Sequence, residues 1–221
     1  ILTSVSTPAP NDTNNMNNYQ HSTFFEQHLT AFELWLKYGS STRQPPEQLP
    51  IVLQVLLSQV HRVRALVLLS RFLDLGPWAV YLALSIGIFP YVLKLLQSPA
   101  PDLKPVLVFI WARIMAVDYK NTQQELVKDK GFNYFLQMLN PKDNANNTNN
   151  DHKALCALIL SLFVRGFKNG QKLCFSPDLV NKLLQYVETS DNPLLRQWCV
   201  LLISQLWYHN FDAKWISYKE G

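Results

Sequence analysis

The fold is decided by four segments that align without gaps: RVRALVLLSRF (62–72), KPVLVFIWARI (104–114), KALCALILSLF (153–163) and RQWCVLLISQL (196–206). In all four the first position is basic, the fifth, seventh and eleventh are apolar, and the ninth is small. The segments start 42, 49 and 43 residues apart, so one structural unit recurs along the chain. The small residues at position nine are Ser70, Ala112, Ser161 and Ser204.

This repeat predicts an all-α fold, an armadillo/HEAT-like helical solenoid. Armadillo and HEAT repeats are about 40–47 residues long, and the one longer interval contains an Asn-rich tract. A single unit cannot bury its apolar face alone, so it stacks on its neighbours. A small ninth residue would let adjacent helices approach closely. We expect the repeats to occupy residues 48–221 and to be truncated there.

The 19 uncharged residues 75–93 could be mistaken for a membrane span, which needs about 20. Gly76, Pro77, Gly87 and Pro90 interrupt this stretch. Because glycine and proline break helices, two short buried helices are the better prediction. We therefore expect no direct insertion into a membrane.

Local signals also predict two helix starts. Thr122 and Glu125 have the spacing of a capping box, in which each side chain accepts a hydrogen bond from an unpaired backbone N–H. Asn192 is a cap candidate directly before Pro193, a residue suited to the first helical turn.

Two tracts rich in Asn lie at 1–22 and 140–151. They contain too few apolar side chains to offset the entropy cost of ordering. We predict that 1–22 is a disordered linker and that 140–151 is an inserted loop. The chain begins without Met in such a tract, so we expect it to be a piece of a longer protein.

The composition and motifs exclude several function classes. Of 221 residues 48% are hydrophobic, which is enough for a core, and a net charge of +4 is too small to indicate nucleic-acid binding. The sequence contains no glycine-rich phosphate loop, nucleophile elbow or HExxH motif, and its five histidines lack metal-ligand spacing. We therefore predict that the chain is not an enzyme and has no catalytic residue, metal site or cofactor.

The three cysteines, Cys156, Cys174 and Cys199, have no CxxC spacing. An odd number without such spacing predicts reduced thiols in the cytoplasm rather than disulfides or a zinc site. Cys156 and Cys199 share position four of successive segments. They could form a reactive pair, but small buried core residues are the better interpretation.

The basic first position of the four segments is a candidate partner-binding surface. It would form a ladder along one edge of the solenoid and could bind an acidic segment of a partner. The alternative is that these cations only balance acidic loops, such as those containing Asp102 and Asp191, since exposed ion pairs are common and weak. The ladder consists of Arg62, Lys104, Lys153 and Arg196.

Three longer runs resemble the Raptor family, the scaffold subunit of target-of-rapamycin (TOR) complex 1. They are LPIVLQVLLSQVHRVRAL (49–66), RFLDLGPWAVYLALSIGIFPYVLKLLQS (71–98) and PVLVFIWARIMAVD (105–118), and the resemblance covers about residues 23–215. Residues 23–47 look like the helix and connector that leave the family's caspase-like domain, which is absent here. The Asn-rich tracts suggest a fungal-type member.

The resemblance implies armadillo repeats in a non-catalytic scaffold that binds the TOR kinase and presents substrates to it. Such substrates carry a short Phe-led motif with acidic and apolar residues, and small Ras-like GTPases are further partners. The family is cytoplasmic and is recruited to the vacuolar or lysosomal membrane surface. From the FPY and WAR motifs, Tyr91 and Arg113 are the candidate peptide-binding residues.

Two alternatives from other classes stay open. One is a generic armadillo adaptor that binds peptide or GTPase partners outside that complex. Adaptors of the nuclear-transport kind repeat Trp and Asn at fixed positions, whereas Trp111 stands at position eight and Trp198 at position three of their segments. The other is the tail of a caspase-like hydrolase, which would need a Cys/His couple in the preceding domain.

Overall fold

The structure is a computed structural model that describes residues 23–39, 44–139 and 149–219. Throughout these ranges the regular structure is helical and contains no strand, which confirms the all-α prediction. The predicted linker 1–22 and most of the predicted loop 140–151 lie outside the described residues. The end of that loop was predicted wrongly, because Asn149 caps a helix that starts at Asn150.

Twelve α-helices follow one another in the described ranges, and proline opens several of them at positions where no intrahelical N–H is needed. A π-helical turn, Trp35–Gly39, follows the first helix, and a short 3₁₀ turn, Pro101–Leu103, precedes the sixth. The helices are α1 (Thr23–Leu34), α2 (Leu49–Val55), α3 (Arg62–Leu73), α4 (Pro77–Ser85), α5 (Phe89–Gln97), α6 (Lys104–Lys128), α7 (Phe132–Leu139), α8 (Asn150–Val164), α9 (Lys168–Cys174), α10 (Pro177–Thr189), α11 (Pro193–Trp207) and α12 (Phe211–Lys219).

The repeating unit contains three helices, which is the armadillo arrangement. Asp118 (φ −138°, ψ 56°) breaks α6 into a part before it, 104–117, and a part after it, 119–128. The second repeat is then α4, α5 and 104–117; the third is 119–128, α7 and α8; the fourth is α9, α10 and α11. The four aligned segments lie on α3, α6, α8 and α11, which pack against one another in that order.

The core of this stack comes from positions 4, 7, 8 and 11 of the aligned segments, all of which are buried in all four. This spacing is one face of an α-helix. Position nine does not behave uniformly: Ala112 and Ser161 are buried, Ser70 is half-buried and Ser204 is exposed. Val200, at position five of the last segment, is also 52% exposed, because no further third helix packs beyond α11 in the described residues.

The predicted helix starts are half right. Asn192 accepts a hydrogen bond from the backbone N–H of Leu195, and Pro193 is the first residue of α11, which confirms that start. The capping box at Thr122 was wrong, because the helix restarts directly after Asp118. The Thr122 hydroxyl instead donates to the Asp118 carbonyl at 2.6 Å, and Glu125 forms an ion pair with Lys128 at 2.6 Å.

The uncharged stretch 75–93 forms two short helices, as predicted. The axes of α4 and α5 are bent by 90°, and Gly87 between them has a left-handed φ of +83° that suits glycine. Within the described ranges, none of the helices taken singly has both the length and the apolar character needed to cross a membrane.

Candidate functional site

A cavity with the size and lining of a binding site lies between the N-terminal ends of α6 and α8, and we call it the N-edge cavity. Its volume is about 650 Å³ and its walls are mainly apolar. Phe109, Met138 and Leu155 line it together with three prolines that precede or open α6. The polar groups on its rim are Lys104, Tyr134, Asn149, Asp151 and His152.

Tyr134 and His152 form a hydrogen bond on the wall of this cavity. The Tyr134 hydroxyl and His152 Nε2 are 3.0 Å apart, and the two rings meet edge to face. Burial lowers the pKa of His152 below its ordinary 6.5 and raises the pKa of Tyr134. At neutral pH the wall of the cavity is therefore uncharged at this pair.

The first two members of the basic ladder donate hydrogen bonds to backbone carbonyls inside the chain. Lys104 Nζ donates to the carbonyls of Leu96 and Ser98 at the C-terminal end of α5, the latter at 2.6 Å. Arg62 donates to the carbonyls of Leu56 (2.8 Å) and Leu57 (3.1 Å) after α2. Cations at helix C-termini satisfy unpaired carbonyls and interact favourably with the helix dipole.

Lysines of the ladder also join successive repeats through an aromatic ring. Lys104 lies 5.2 Å from the ring centre of Tyr134, and Lys153 lies 5.3 Å from that of Tyr186. Each tyrosine belongs to the second helix of the following repeat. Burial lowers the pKa of both lysines, and for Lys153 the nearby Lys182 lowers it further.

Arg62, Lys104 and Lys153 therefore make contacts within the chain, as the alternative to partner binding requires. The groups that they contact are carbonyls and aromatic rings rather than the acidic loops that we expected. Asp102 and Asp191 form no ion pair in the described part of the chain. Arg196 differs from the others, because it is exposed and lines a shallow surface depression beside Pro193. Partner binding by Arg62, Lys104, Lys153 and Arg196 stays a prediction.

The two candidate peptide-binding residues occupy different settings. Tyr91 is half-buried in the first turn of α5 and packs against the core. Arg113 forms an ion pair with the Asp74 carboxylate at 3.3 Å and donates to the Asp74 carbonyl at 3.3 Å. No hydrogen bond or cation–π contact joins Tyr91 to Arg113 in the ranges that the structure describes, and neither lines the N-edge cavity. Their role in peptide binding stays a prediction.

Two buried glutamines were missed by sequence reasoning, and we call them the glutamine clamps. Gln123 Nε2 donates to the carbonyls of Leu162 and Arg165, both at 2.9 Å. Gln171 Nε2 donates to the carbonyls of Gln205 at 2.7 Å and Tyr208 at 2.9 Å.

The two clamps occupy equivalent places in successive repeats. Each glutamine lies on the first helix of its repeat and donates to two carbonyls at the end of the third helix. Counted with the first residue of the aligned segment as position 1, these carbonyls are at positions 10 and 13. In the second repeat, Tyr81 on the first helix makes a weaker hydrogen bond of this kind to the end of the third helix. Its hydroxyl donates to the Val117 carbonyl at 3.5 Å. Glutamine on a short helix is usually exposed, so only a comparison of first helices could have indicated these residues.

The three cysteines of the chain are all buried. Burial raises the pKa of Cys174 and Cys199 to about 12 and raises that of Cys156 as well, so the thiols are unreactive at neutral pH. All three are free and buried, which confirms the interpretation of Cys156 and Cys199 as core residues. Across the described ranges, no group of three or more His, Cys, Asp or Glu could hold a metal ion.

Comparison with known proteins identifies the segment. No family model matches the chain. Over 92% of its own length, the chain is 61% identical to the TOR complex 1 subunit mip1 of Schizosaccharomyces pombe. Over 91% of its own length, it is 54% identical to the TOR complex 1 subunit KOG1 of Saccharomyces cerevisiae. The crystal structure of Chaetomium thermophilum Raptor matches 94% of the chain with a TM-score of 0.85 and 55% identity. The chain is homologous to one segment of the Raptor proteins.

The homology is confined to part of each Raptor relative. The chain spans 16% of the length of mip1 and of KOG1, and 20% of the Chaetomium Raptor chain. A designed armadillo repeat protein for modular peptide recognition matches 88% of this chain and 79% of its own with a TM-score of 0.64. Its 11% identity shows a shared fold alone. The predicted resemblance to Raptor and the predicted solenoid are both confirmed.

Proposed function

We propose that this chain is the armadillo segment of a non-catalytic scaffold subunit of TOR complex 1. The observation that carries the proposal is its 61% and 54% identity, over more than nine-tenths of its length, to two proteins named as subunits of that complex. The described residues add a stack of helical repeats in which successive third helices pack on one another. These comparisons support the scaffold over a generic armadillo adaptor.

In this role the chain would contribute to binding of the TOR kinase and to the presentation of its substrates. Stacked helical repeats suit a scaffold because they create long surfaces without a mobile core. The complex is cytoplasmic, and small Ras-like GTPases would recruit it to the vacuolar or lysosomal membrane surface. Arg196 is the ladder member best placed for such a partner, because its side chain is exposed and forms no ion pair in the described residues.

For substrate presentation the structure offers two candidate surfaces. Tyr91 and Arg113 were predicted from the sequence, and the N-edge cavity supplies an apolar volume of about 650 Å³ that could hold a Phe side chain. Lys104 and His152 stand on the rim of that cavity. An aromatic anchor in a pocket is the typical energetic centre of a peptide interface.

The scaffold proposal is tested by co-purification of the TOR kinase with the complete protein that carries this chain. Loss of the kinase when the repeats 49–219 are deleted is the expected result. Recovery of the kinase at the parent level without these repeats would contradict the proposal.

Substrate presentation is tested separately, by fluorescence anisotropy with a five-residue peptide that begins with Phe and continues with acidic and apolar residues. If the peptide binds in the N-edge cavity, Phe109→Ala should weaken binding about tenfold or more. If it binds at the predicted residues, Tyr91→Ala and Arg113→Ala should each do so instead. Phe24→Ala is the matched control, because Phe24 is 49% exposed on α1. Full affinity in all three variants would place the peptide elsewhere.

A further inference from the structure

A second cavity lies at the opposite edge of the stack, where third helices end and first helices begin. We call it the C-edge cavity; its volume is about 480 Å³. It is formed by the start of 119–128, by the junction of α8 and α9, and by the end of α11. Its side chains are two tyrosines, two cations and two glutamines: Tyr119, Lys120, Gln123, Arg165, Gln205 and Tyr208.

The backbone around this cavity is held in place by the glutamine clamps. The carbonyl of Arg165 accepts from Gln123, and the carbonyl of Tyr208 accepts from Gln171. Gly166 makes the turn after Arg165 with a left-handed φ of +63°, a conformation that suits glycine. The walls that carry the cation and the aromatic ring are therefore preorganised.

The Arg165 side chain is oriented by a ring rather than by a carboxylate. Its guanidinium carbon lies 5.1 Å from the ring centre of Tyr119, a cation–π arrangement. Arg64, Arg71 and Arg113 form ion pairs with Glu33 or Asp74, whereas Arg165 forms none in the part of the chain that the structure describes. Its planar fork remains available for a carboxylate.

The positive charge of the cavity is not compensated locally. No acidic side chain lines it. Asp118, two residues before Lys120, accepts from the Asn121 amide at 2.9 Å, and Glu125 is paired with Lys128 at 2.6 Å. Lys120 is exposed and has no ion pair in the described ranges.

We propose that the C-edge cavity is a docking site for an acidic segment of a partner protein. A carboxylate of that segment binds the guanidinium of Arg165 by two parallel hydrogen bonds, and Lys120 provides the second positive charge. The apolar part of the segment packs on the rings of Tyr119 and Tyr208. Charge complementarity selects this occupant, because the lining combines two cations with hydrogen-bond donors and contains no acid. This site is distinct from the N-edge cavity and does not depend on the scaffold assignment.

The test uses the complete protein carrying this chain and a fluorescein-labelled peptide of six glutamates flanked by glycines, at low ionic strength. The peptide has no Phe, so it does not probe the proposed Phe-binding surfaces. Saturable binding by the parent is expected, and Arg165→Glu and Lys120→Glu should each weaken it about tenfold. Arg165→Lys should weaken binding less than Arg165→Glu does, since it retains the charge but loses the fork.

Lys94→Glu is the matched control, because Lys94 is exposed on α5 and carries the same change of charge. It should alter the affinity less than about twofold. The proposal is overturned if the parent shows no saturable binding, or if Lys94→Glu weakens binding as much as Lys120→Glu. Binding of inorganic phosphate but not of the glutamate peptide also overturns it. Melting temperatures equal to that of the parent confirm that the variants are folded.

Discussion

At the scale of single residues, polar side chains at helix ends add directed contacts to the apolar core of this repeat stack. Gln171 is only 5% exposed and satisfies two carbonyls that the end of α11 would otherwise leave unpaired. Lys104 satisfies two carbonyls at the end of α5 in the same way. A buried polar group contributes little while it is paired and costs much when its partner is removed. Substitution of Gln171 should therefore lower stability.

Two substitutions of Gln171 should lower the stability of the protein by different amounts. Gln171→Leu leaves two carbonyls without a donor and should lower the free energy of unfolding by about 1–3 kcal/mol. Gln171→Glu places an acceptor against the same carbonyls and should cost about 3 kcal/mol or more at neutral pH. Urea denaturation measures both, with the exposed Gln197→Glu as a control near zero. Equal stability of the Glu and Leu variants would mean that Gln171 is not the donor.

The pair formed by Tyr134 and His152 gives a prediction about pH. Burial lowers the pKa of folded His152 below its unfolded value of about 6.5. As the pH falls below 6.5, the unfolded chain binds a proton at His152 that the folded chain resists, so stability is lost from that pH down to the folded pKa. His152→Gln should therefore lose less stability than the parent between pH 7 and about 5. Parallel melting-temperature curves for the two proteins would contradict this assignment.

At the scale of elements, the same aligned position has different surroundings in different repeats. Ser161 on α8 is 1% exposed, because α6 and α11 pack on either side of it. Ser204 occupies the same position on α11 and is exposed. The Ser161 hydroxyl donates to the Leu158 carbonyl at 2.7 Å, so its burial leaves no donor unpaired. The small residue matters where a helix is covered on both sides.

This contrast predicts that the same substitution has a large effect on stability at Ser161 and a small effect at Ser204. Ser161→Leu should overpack the contacts of α8 and destabilise the protein by about 1–3 kcal/mol. Ser204→Leu should change stability by less than about 0.5 kcal/mol, as is typical of surface sites. Thermal unfolding of the two variants beside the parent distinguishes them. If Ser161→Leu melts with the parent, the assignment of position nine on α8 as a tight contact is wrong.

At the scale of the whole molecule, α1 is packed into the same core as the repeats. Leu29 and Phe32 of α1 are fully buried, and the Phe32 ring lies 5.7 Å from that of Phe72 on α3. Glu33 adds ion pairs to Arg64 at 2.9 Å and to Arg71 at 3.8 Å. The predicted division at residue 47 stays a prediction, but these contacts favour placing α1 with the solenoid.

Removal of one α1 anchor tests that grouping. Phe32→Ala should lower the free energy of unfolding by about 3–5 kcal/mol, because it leaves a cavity beneath Phe72 and Trp35. Phe24→Ala on the same helix should cost less than about 1 kcal/mol, since its ring is half exposed. Denaturation monitored by helical dichroism reports both. A separate early transition for the Phe32 variant would show instead that α1 unfolds independently of the repeats.

The sequence alone determined four features of the fold: the helical class, the repeat with its period, the two short helices in 75–93, and the start of α11. These features depend on spacing along one chain, on backbone breakers and on caps, which are local properties. The resemblance to Raptor likewise needed only long matching runs. By contrast, the break of α6 at Asp118 has no glycine or proline to mark it. Only the backbone angles of Asp118 in the folded chain reveal it.

Only the tertiary structure decided how the polar residues are used. The basic first position predicts an exposed ladder, yet Arg62 and Lys104 bind helix-end carbonyls that lie several residues earlier and become accessible only after the helices turn. Gln123 and Arg165 are 42 residues apart, and their contact depends on the angle between first and third helices. Apolar side chains are sorted by burial, which periodicity encodes. Hydrogen bonds and ion pairs require direction and distance, which arise only when the repeats have stacked.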